Sequence, residues 1–302
     1  MATQTHQSEA ARLEDTRMTL GEHLEELRGR LIRSAVAFVL ALVVAWGFHE
    51  TLSDVVQEPL RRAVAWLNAD LVEIHQAEIL EQGLSPTDFF NTGIPEDASP
   101  SQRLRKPIPS DLRGDGAGSG FFFYLRVSLY FAFLGAAPVI LWQLWQFIAA
   151  GLYRKEKRVV HLYFPASLLL FAAGIVFGFY VMVPYGQYFL ARFSLEQFRY
   201  DPKVDEYFQF IKSLCLALGL VFQLPILMMG LARLGIVEPT FFARYRGHFL
   251  LVALLFAALM TPPDPITQMM MAVPMVLLYE VGYRLSRLGR SSSAAQASST
   301  SA

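Results

Sequence analysis

The stretch GEHLEELRGRL, Gly21 to Leu31, sets three carboxylates (Glu22, Glu25 and Glu26) and two arginines (Arg28 and Arg30) directly ahead of an apolar run long enough to enter a membrane. Membrane-entering helices ordinarily carry basic flanks, so the acids need a reason. A carboxylate held beside hydrocarbon is a strong receptor for arginine, because the guanidinium fork makes two charge-assisted bonds to it. Thr19 with Glu22 fits a capping box and places the helix start at Leu20. At helical spacing Leu20, Leu24, Leu27 and Leu31 then form an apolar stripe, and Glu22, Glu26, Arg30 and Arg33 a polar one. The plainer reading of that polar stripe is an ion pair between Glu26 and Arg30 at i,i+4, worth a few tenths of a kcal/mol. A second acid, Glu156, stands among Arg154, Lys155, Lys157 and Arg158 in FIAAGLYRKEKRVV. It is either a solvated counter-charge or a second carboxylate at the same membrane face. Spacing alone leaves both questions open.

The elements that must position these acids are membrane spans. The chain has 302 residues, 54% hydrophobic and 17% charged, with the apolar residues gathered into long windows. Soluble domains carry roughly 25% charged residues and lack such windows, so the class is an all-α integral membrane protein. A formal net charge of zero gives no basic field for nucleic acid. The single cysteine, Cys215, excludes an intrachain disulfide and a cysteine-based zinc cluster. Residues 1–18 are polar, with no short apolar core followed by a cleavage site, which argues against a cleaved signal peptide. Residues 289–302, ending SSSAAQASSTSA, read as a disordered tail.

Six apolar segments lie at about 31–48, 121–150, 160–185, 207–235, 247–260 and 266–283, within a membrane domain spanning 19–288. Prolines inside the second, fourth and sixth (Pro138, Pro225 and Pro274) predict kinks. The fifth segment, 14 residues long, rises about 21 Å against a hydrocarbon core of roughly 30 Å, so thinning of the bilayer around a short last hairpin is expected. Arg28, Arg30, Arg33, the 154–158 cations, Arg233, Arg244, Arg246, Arg284, Arg287 and Arg290 fall on one side of the membrane. The short loops opposite carry Arg192, Arg199 and Lys203. The positive-inside rule then puts both termini in the cytoplasm. An extended outer loop covers about 50–120; it opens with helix-compatible sequence and turns Pro-, Gly- and Ser-rich before the second span.

In order along the chain, HLEELRGRL, APVILWQLWQFIAAGLYRKEKR, FQLP and TPPDPITQMMMAVPMVLLYEVG resemble the TatC family, the receptor subunit of the twin-arginine protein translocase. The resemblance runs from about residue 18 to 288, apart from most of the first outer loop. It implies a kinked, concave six-helix bundle in a bacterial cytoplasmic (inner) membrane. It also implies recognition of twin-arginine signal peptides on folded cargo proteins, TatA- and TatB-type single-span partners, homo-oligomerisation in a receptor complex, and export driven by the proton-motive force. Residue by residue, the acids of the HLxELR and LYxxE motifs become Glu26 and Glu156, with His23, Arg28 and Phe147 beside them in the same motifs. The flanking arginines restrain the acids when the site is empty.

The same resemblance assigns Thr261 and Gln268 to partner docking. Gln223, where some relatives carry Glu, bonds either a partner helix or a helix of its own bundle. Pro59, Asp264 and Pro225 take structural roles, Asp264 as the cap of the last helix. Ala150 stands where the family commonly has proline, and the insertion at about 80–120 has no counterpart in shorter members. Either SPTDFF or GSGFFF can claim the position before the second span. From the residues themselves, Gly174 and Gly178 form a GxxxG that can bring two helices close, and Glu280 with Arg284 reads as an ion pair. A secondary, ion-coupled transporter would need ionisable groups near the midplane or two related halves, and neither is present. No HExxH, GxSxG or P-loop supports an enzyme. His23-x-x-Glu26 has metal-compatible spacing but no second ligand pair, and no cofactor is implied.

Overall fold

The computed structural model describes residues 20–74, 76, 79, 80, 83, 85, 86, 108, 110–114, 116–150, 157–195 and 200–299. Among them regular structure is helical, apart from one isolated bridge pairing Arg113 with Lys203. The helices are α1 (Leu20–Gly47), α2 (His49–Ile74), α3 (Ser119–Ala150), α4 (Lys157–Phe177), α5 (Val183–Leu195), α6 (Val204–Val221), α7 (Leu224–Arg233), α8 (Pro239–Arg244), α9 (Arg246–Met260) and α10 (Pro265–Ser299). A single π turn, Gly178–Met182, joins α4 to α5.

Among the described residues five stretches are long and apolar enough to cross a membrane: α1, α3, α4 through α5, α6 through α7, and Pro265–Leu288 of α10. With the shorter apolar α9 they make six spans. Apolar side chains cover the outside of the bundle, among them Val39, Val43, Leu169 and Leu259, as a lipid solvent requires. Of the last two helices only α9 is short, its 15 residues rising about 22 Å. Where the sequence expects a second short helix, the backbone instead carries α10 to Ser299. No proline interrupts that stretch, and its Ala, Arg and Gln are good helix formers.

The prolines act unequally. Pro138 and Pro274 sit inside unbroken helices. At Pro225 the fourth span breaks: α6 ends at Val221, Phe222 and Gln223 turn, and Pro225 occupies the first turn of α7, where its missing N–H costs nothing.

The start of the long loop after the first span is a 26-residue helix, α2, with Pro59 inside it. Its stripe Val56, Leu60, Ala63, Val64, Leu67 and Leu71 recurs at helical spacing and is buried. That stripe joins Tyr207, Phe208, Ile211, Leu214 and Leu218 of α6 in the main core. The Tyr207 hydroxyl donates to Val56 O at 2.6 Å. The return of the loop is sewn down as well. The Asn68 side chain grips the Ile108 backbone through Nδ2 to O (3.2 Å) and N to Oδ1 (2.9 Å), while Arg113 N bonds Pro202 O and Val204 N bonds Arg113 O. Beside this strap burial pushes the Tyr200 phenol above its ordinary range, and its hydroxyl bonds Gln187 Oε1 at 2.9 Å. The span after the loop begins at Ser119, so GSGFFF is its immediate lead. Most of SPTDFF lies outside the described residues.

Close packing fixes the centre. A Cβ on Gly174 would stand 2.7 Å from Leu218 O and 2.9 Å from Gly219 Cα, and one on Gly178 3.0 Å from Cys215 Cα. The GxxxG therefore seats α4 and the π turn directly on the α6 backbone, in the way small residues join membrane helices.

Candidate functional site

Helix α1 is described from Leu20 onward, and Thr19 of the capping reading lies outside the described residues. Its direction in the bundle is set by small side chains. Ser34, Ala37, Ala41 and Ala45 continue the line of His23, Glu26 and Arg30, and this line faces α3, where Ala41 Cβ lies 3.7 Å from the ideal Cβ position of Gly135. The leucine stripe points away from the bundle, with Leu24 65% and Leu31 68% exposed. In water such a stripe would seek the core. Against lipid it gains nothing by burial, and close backbone approach decides instead. The polar stripe is thereby pressed onto α3.

At this seam Arg30 donates to Glu26 Oε1 through both Nε (3.1 Å) and Nη2, and through Nη1 to Gln143 Oε1 of α3 at 3.5 Å. The side chains of Arg30 and Glu26 are only 14% and 20% exposed. The other carboxylate oxygen, Glu26 Oε2, is buried and has no hydrogen-bond partner among the described residues. One turn earlier the His23 ring stacks on Phe147 of α3, centroids 4.3 Å apart at 24°. Both helices thus contribute to the same seam, and Glu26 keeps half its accepting capacity unused. A buried unsatisfied carboxylate oxygen is costly, and a second guanidinium would relieve that cost.

The structure brings together Glu26, His23 and Phe147; Arg28 is exposed on another side of α1. Glu156 lies outside the described residues. Gln143 escaped the sequence reading. Its available signal was an amide side chain in an apolar span, one turn before Phe147. Among the described residues no three His, Cys, Asp or Glu side chains gather as a metal site, so His23 and Glu26 stand alone in that respect.

The residues assigned to partner docking carry internal bonds. Gln223 accepts from Ser167 Oγ (2.6 Å) and donates to Ser167 O (2.9 Å) within the bundle. Thr261 Oγ1 donates to Ala257 O at 2.9 Å, and Gln268 Nε2 to Leu254 O at 3.0 Å across the last hairpin. Asp264 caps α10: Oδ1 accepts from Thr267 N at 2.7 Å and Oδ2 from Thr267 Oγ1, with Pro265 at the first helical position. Pro59 and Pro225 are buried. Glu280 pairs with Arg284 at 3.6 Å and more closely with Arg246 of α9 at 2.9 Å.

Comparison with known proteins agrees with this arrangement. Residues 22–274 match the family model described as Sec-independent protein translocase protein (TatC). The TatC protein of Desulforapulum autotrophicum is 35% identical over 89% of this chain and 84% of its own length. TatCy of Bacillus subtilis is 31% identical over 91% of both chains, and TatC of Aquifex aeolicus 31% over 90% and 95%. The crystal structure of a twin-arginine translocase receptor, TatC, superposes with a TM-score of 0.66 at 28% identity, covering 89% of this chain and 100% of that one. The match covers the α1–α3 seam and the last hairpin together, and the chain belongs to the TatC family of Sec-independent protein translocase subunits.

Proposed function

We propose that this subunit is the signal-peptide receptor of its translocase. Glu26 and Glu156 take the two consecutive arginines of a guest signal peptide, with His23, Arg28 and Phe147 around them. The observation that carries the reading is Glu26, four-fifths buried at the start of a membrane helix, with one carboxylate oxygen that has no partner among the described residues. An acid in that state favours a planar, bidentate cation over a point charge. The solved relatives are themselves described as twin-arginine translocase receptors, which supports the same reading.

The wider proposal follows the family. The chain lies in a bacterial cytoplasmic membrane with both termini inside, in keeping with the arginines and lysines on that side. It assembles with further copies of itself and with TatA- and TatB-type subunits, for which Thr261, Gln268 and Gln223 are the proposed docking positions. Export of folded cargo then draws on the proton-motive force. Bound signal peptide lays its apolar segment along the concave face, and the short α9 thins the bilayer nearby.

The test is site-specific crosslinking in membranes to a labelled peptide with two adjacent arginines, comparing wild type, Glu26→Gln and Glu156→Gln, and a peptide with both arginines changed to lysine. Crosslinks lost with either carboxylate, or with lysine, support arginine recognition. Crosslinks indifferent to both carboxylates reduce the acids to interfacial counter-charges.

A further inference from the structure

Resting on that reading of Glu26, we infer that Arg30 is an internal occupant of the guest's arginine site, and that Gln143 is the ligand to which Arg30 is handed when a guest arrives. Both near donors of Arg30, Nε and Nη2, converge on the single oxygen Glu26 Oε1. Oε2 is left buried, with no partner among the described residues. A guest guanidinium that grips the carboxylate with its fork needs both oxygens, so Arg30 must release Oε1 first. Its third donor, Nη1, already points to Gln143 Oε1 at 3.5 Å, the outer limit of a hydrogen bond. A small shift of the guanidinium toward α3 shortens that bond as the other two are lost. The displaced cation then keeps a ligand, which matters because its side chain is only 14% exposed and cannot simply turn into water.

The scheme makes a quantitative statement. An occluding group multiplies the apparent dissociation constant of every guest by the same factor, the inverse of the fraction of time the site is open. If Arg30 holds Glu26 nine-tenths of the time, removing it tightens binding about tenfold for a twin-arginine peptide and for its twin-lysine analogue alike. Gln143 stabilises the open state through Arg30 alone, so its loss weakens binding only while Arg30 is present. A purely structural Arg30, holding Glu26 in place for the guest, gives the opposite sign.

The experiment is a titration of fluorescent twin-arginine and twin-lysine peptides onto the full-length protein in nanodiscs. The variants are wild type, Arg30→Gln, Arg30→Lys, Gln143→Leu, the double variant Arg30→Gln/Gln143→Leu, and Glu26→Gln. Tighter binding in Arg30→Gln with an unchanged arginine-to-lysine ratio is expected, with an intermediate gain in Arg30→Lys. Gln143→Leu should weaken binding in the wild type and do nothing in the Arg30→Gln background. If Arg30→Gln does not fold, the sign of the Arg30→Lys change decides. Weakened or unchanged binding in the arginine variants, or a Gln143 effect that persists without Arg30, overturns the handover. Should Glu26→Gln bind as wild type does, it is the receptor reading that fails, and the two failures are told apart.

Discussion

Ser167 and Gln223 hold each other by two opposed hydrogen bonds, hydroxyl to amide oxygen at 2.6 Å and amide nitrogen to carbonyl at 2.9 Å, across α4 and the break between α6 and α7. The break leaves backbone groups without helical partners inside a membrane span, and a paired polar side chain at that point fixes where the chain turns. The amide's oxygen and nitrogen are each engaged once within the bundle, which leaves one N–H and one lone pair of Gln223 for a partner helix.

Gln223→Leu is therefore expected to destabilise the bundle in isolation. Hydrogen bonds between membrane helices average about 0.6 kcal/mol and reach about 1.7 kcal/mol in double-mutant cycles. A cycle with Ser167→Ala, read by unfolding in mixed micelles, should return a coupling energy in that range. A coupling near zero would mean the two side chains merely coincide.

The GxxxG of the third span makes an ordered prediction. At Gly174 the added methyl meets backbone, Leu218 O and Gly219 Cα; at Gly219 it meets chiefly the end of Ile175, with Cδ1 at 2.8 Å and Phe171 Cε2 at 3.0 Å. Side-chain ends can swing away and backbone cannot. Gly174→Ala should cost about 1–3 kcal/mol, the usual range for overpacking, and Gly219→Ala distinctly less. Thermal unfolding in detergent gives the order directly, and an inverted order would contradict the packing.

Much of the architecture was legible in sequence, because a span is a long apolar run and little else resembles one. The Glu26–Arg30 pair was legible too, as the plainer reading of i,i+4 spacing on a helix. The facing of α1 was not: an amphipathic stripe predicts the buried side in water, whereas in lipid Ala37, Ala41 and Ala45 decide it and the leucines turn outward. Gln143 was missed because a lone amide among Trp142, Leu144 and Trp145 has no local partner; Arg30 is 113 residues away. Thr261 and Gln268 read as docking residues, yet their bonds to Ala257 and Leu254 are local chemistry that residue type alone could not reveal.

At the last hairpin the prediction concerns a cap. Asp264 Oδ1 receives Thr267 N, which lies three residues on, and Pro265 presets the first helical φ. Asp264→Ala should cost about 0.5–2 kcal/mol, and Asp264→Asn, which keeps the accepting oxygen, much less. Differential melting of the two variants checks it. Equal losses would instead point to the charge as the stabilising feature.

The strap at the end of the outer loop predicts a proteolytic phenotype. Asn68 satisfies both backbone groups of Ile108, and Asn68→Leu would leave them without a ligand. The segment 108–114 should then become cleavable by an added protease while the spans stay intact. Mass mapping of the first cut locates the effect, and an unchanged cleavage pattern would show that the pairing of Arg113 with residues 202–204 suffices alone.

The stack of His23 on Phe147 offers the final prediction, since it is the contact that seats the first turns of α1 against α3. Aromatic pairs contribute about 0.5–1.5 kcal/mol beyond their buried area, enough to change local opening several-fold. His23→Phe keeps a stackable ring, whereas His23→Ala removes it, and both replacements are uncharged side chains. Amide hydrogen exchange over residues 24–27 should quicken in His23→Ala and stay near wild type in His23→Phe, with crosslinking of a twin-arginine peptide following the same order. Were His23→Phe to lose crosslinking while its amides stayed protected, the ring nitrogens would be acting on the guest directly, and the stack would be incidental to binding.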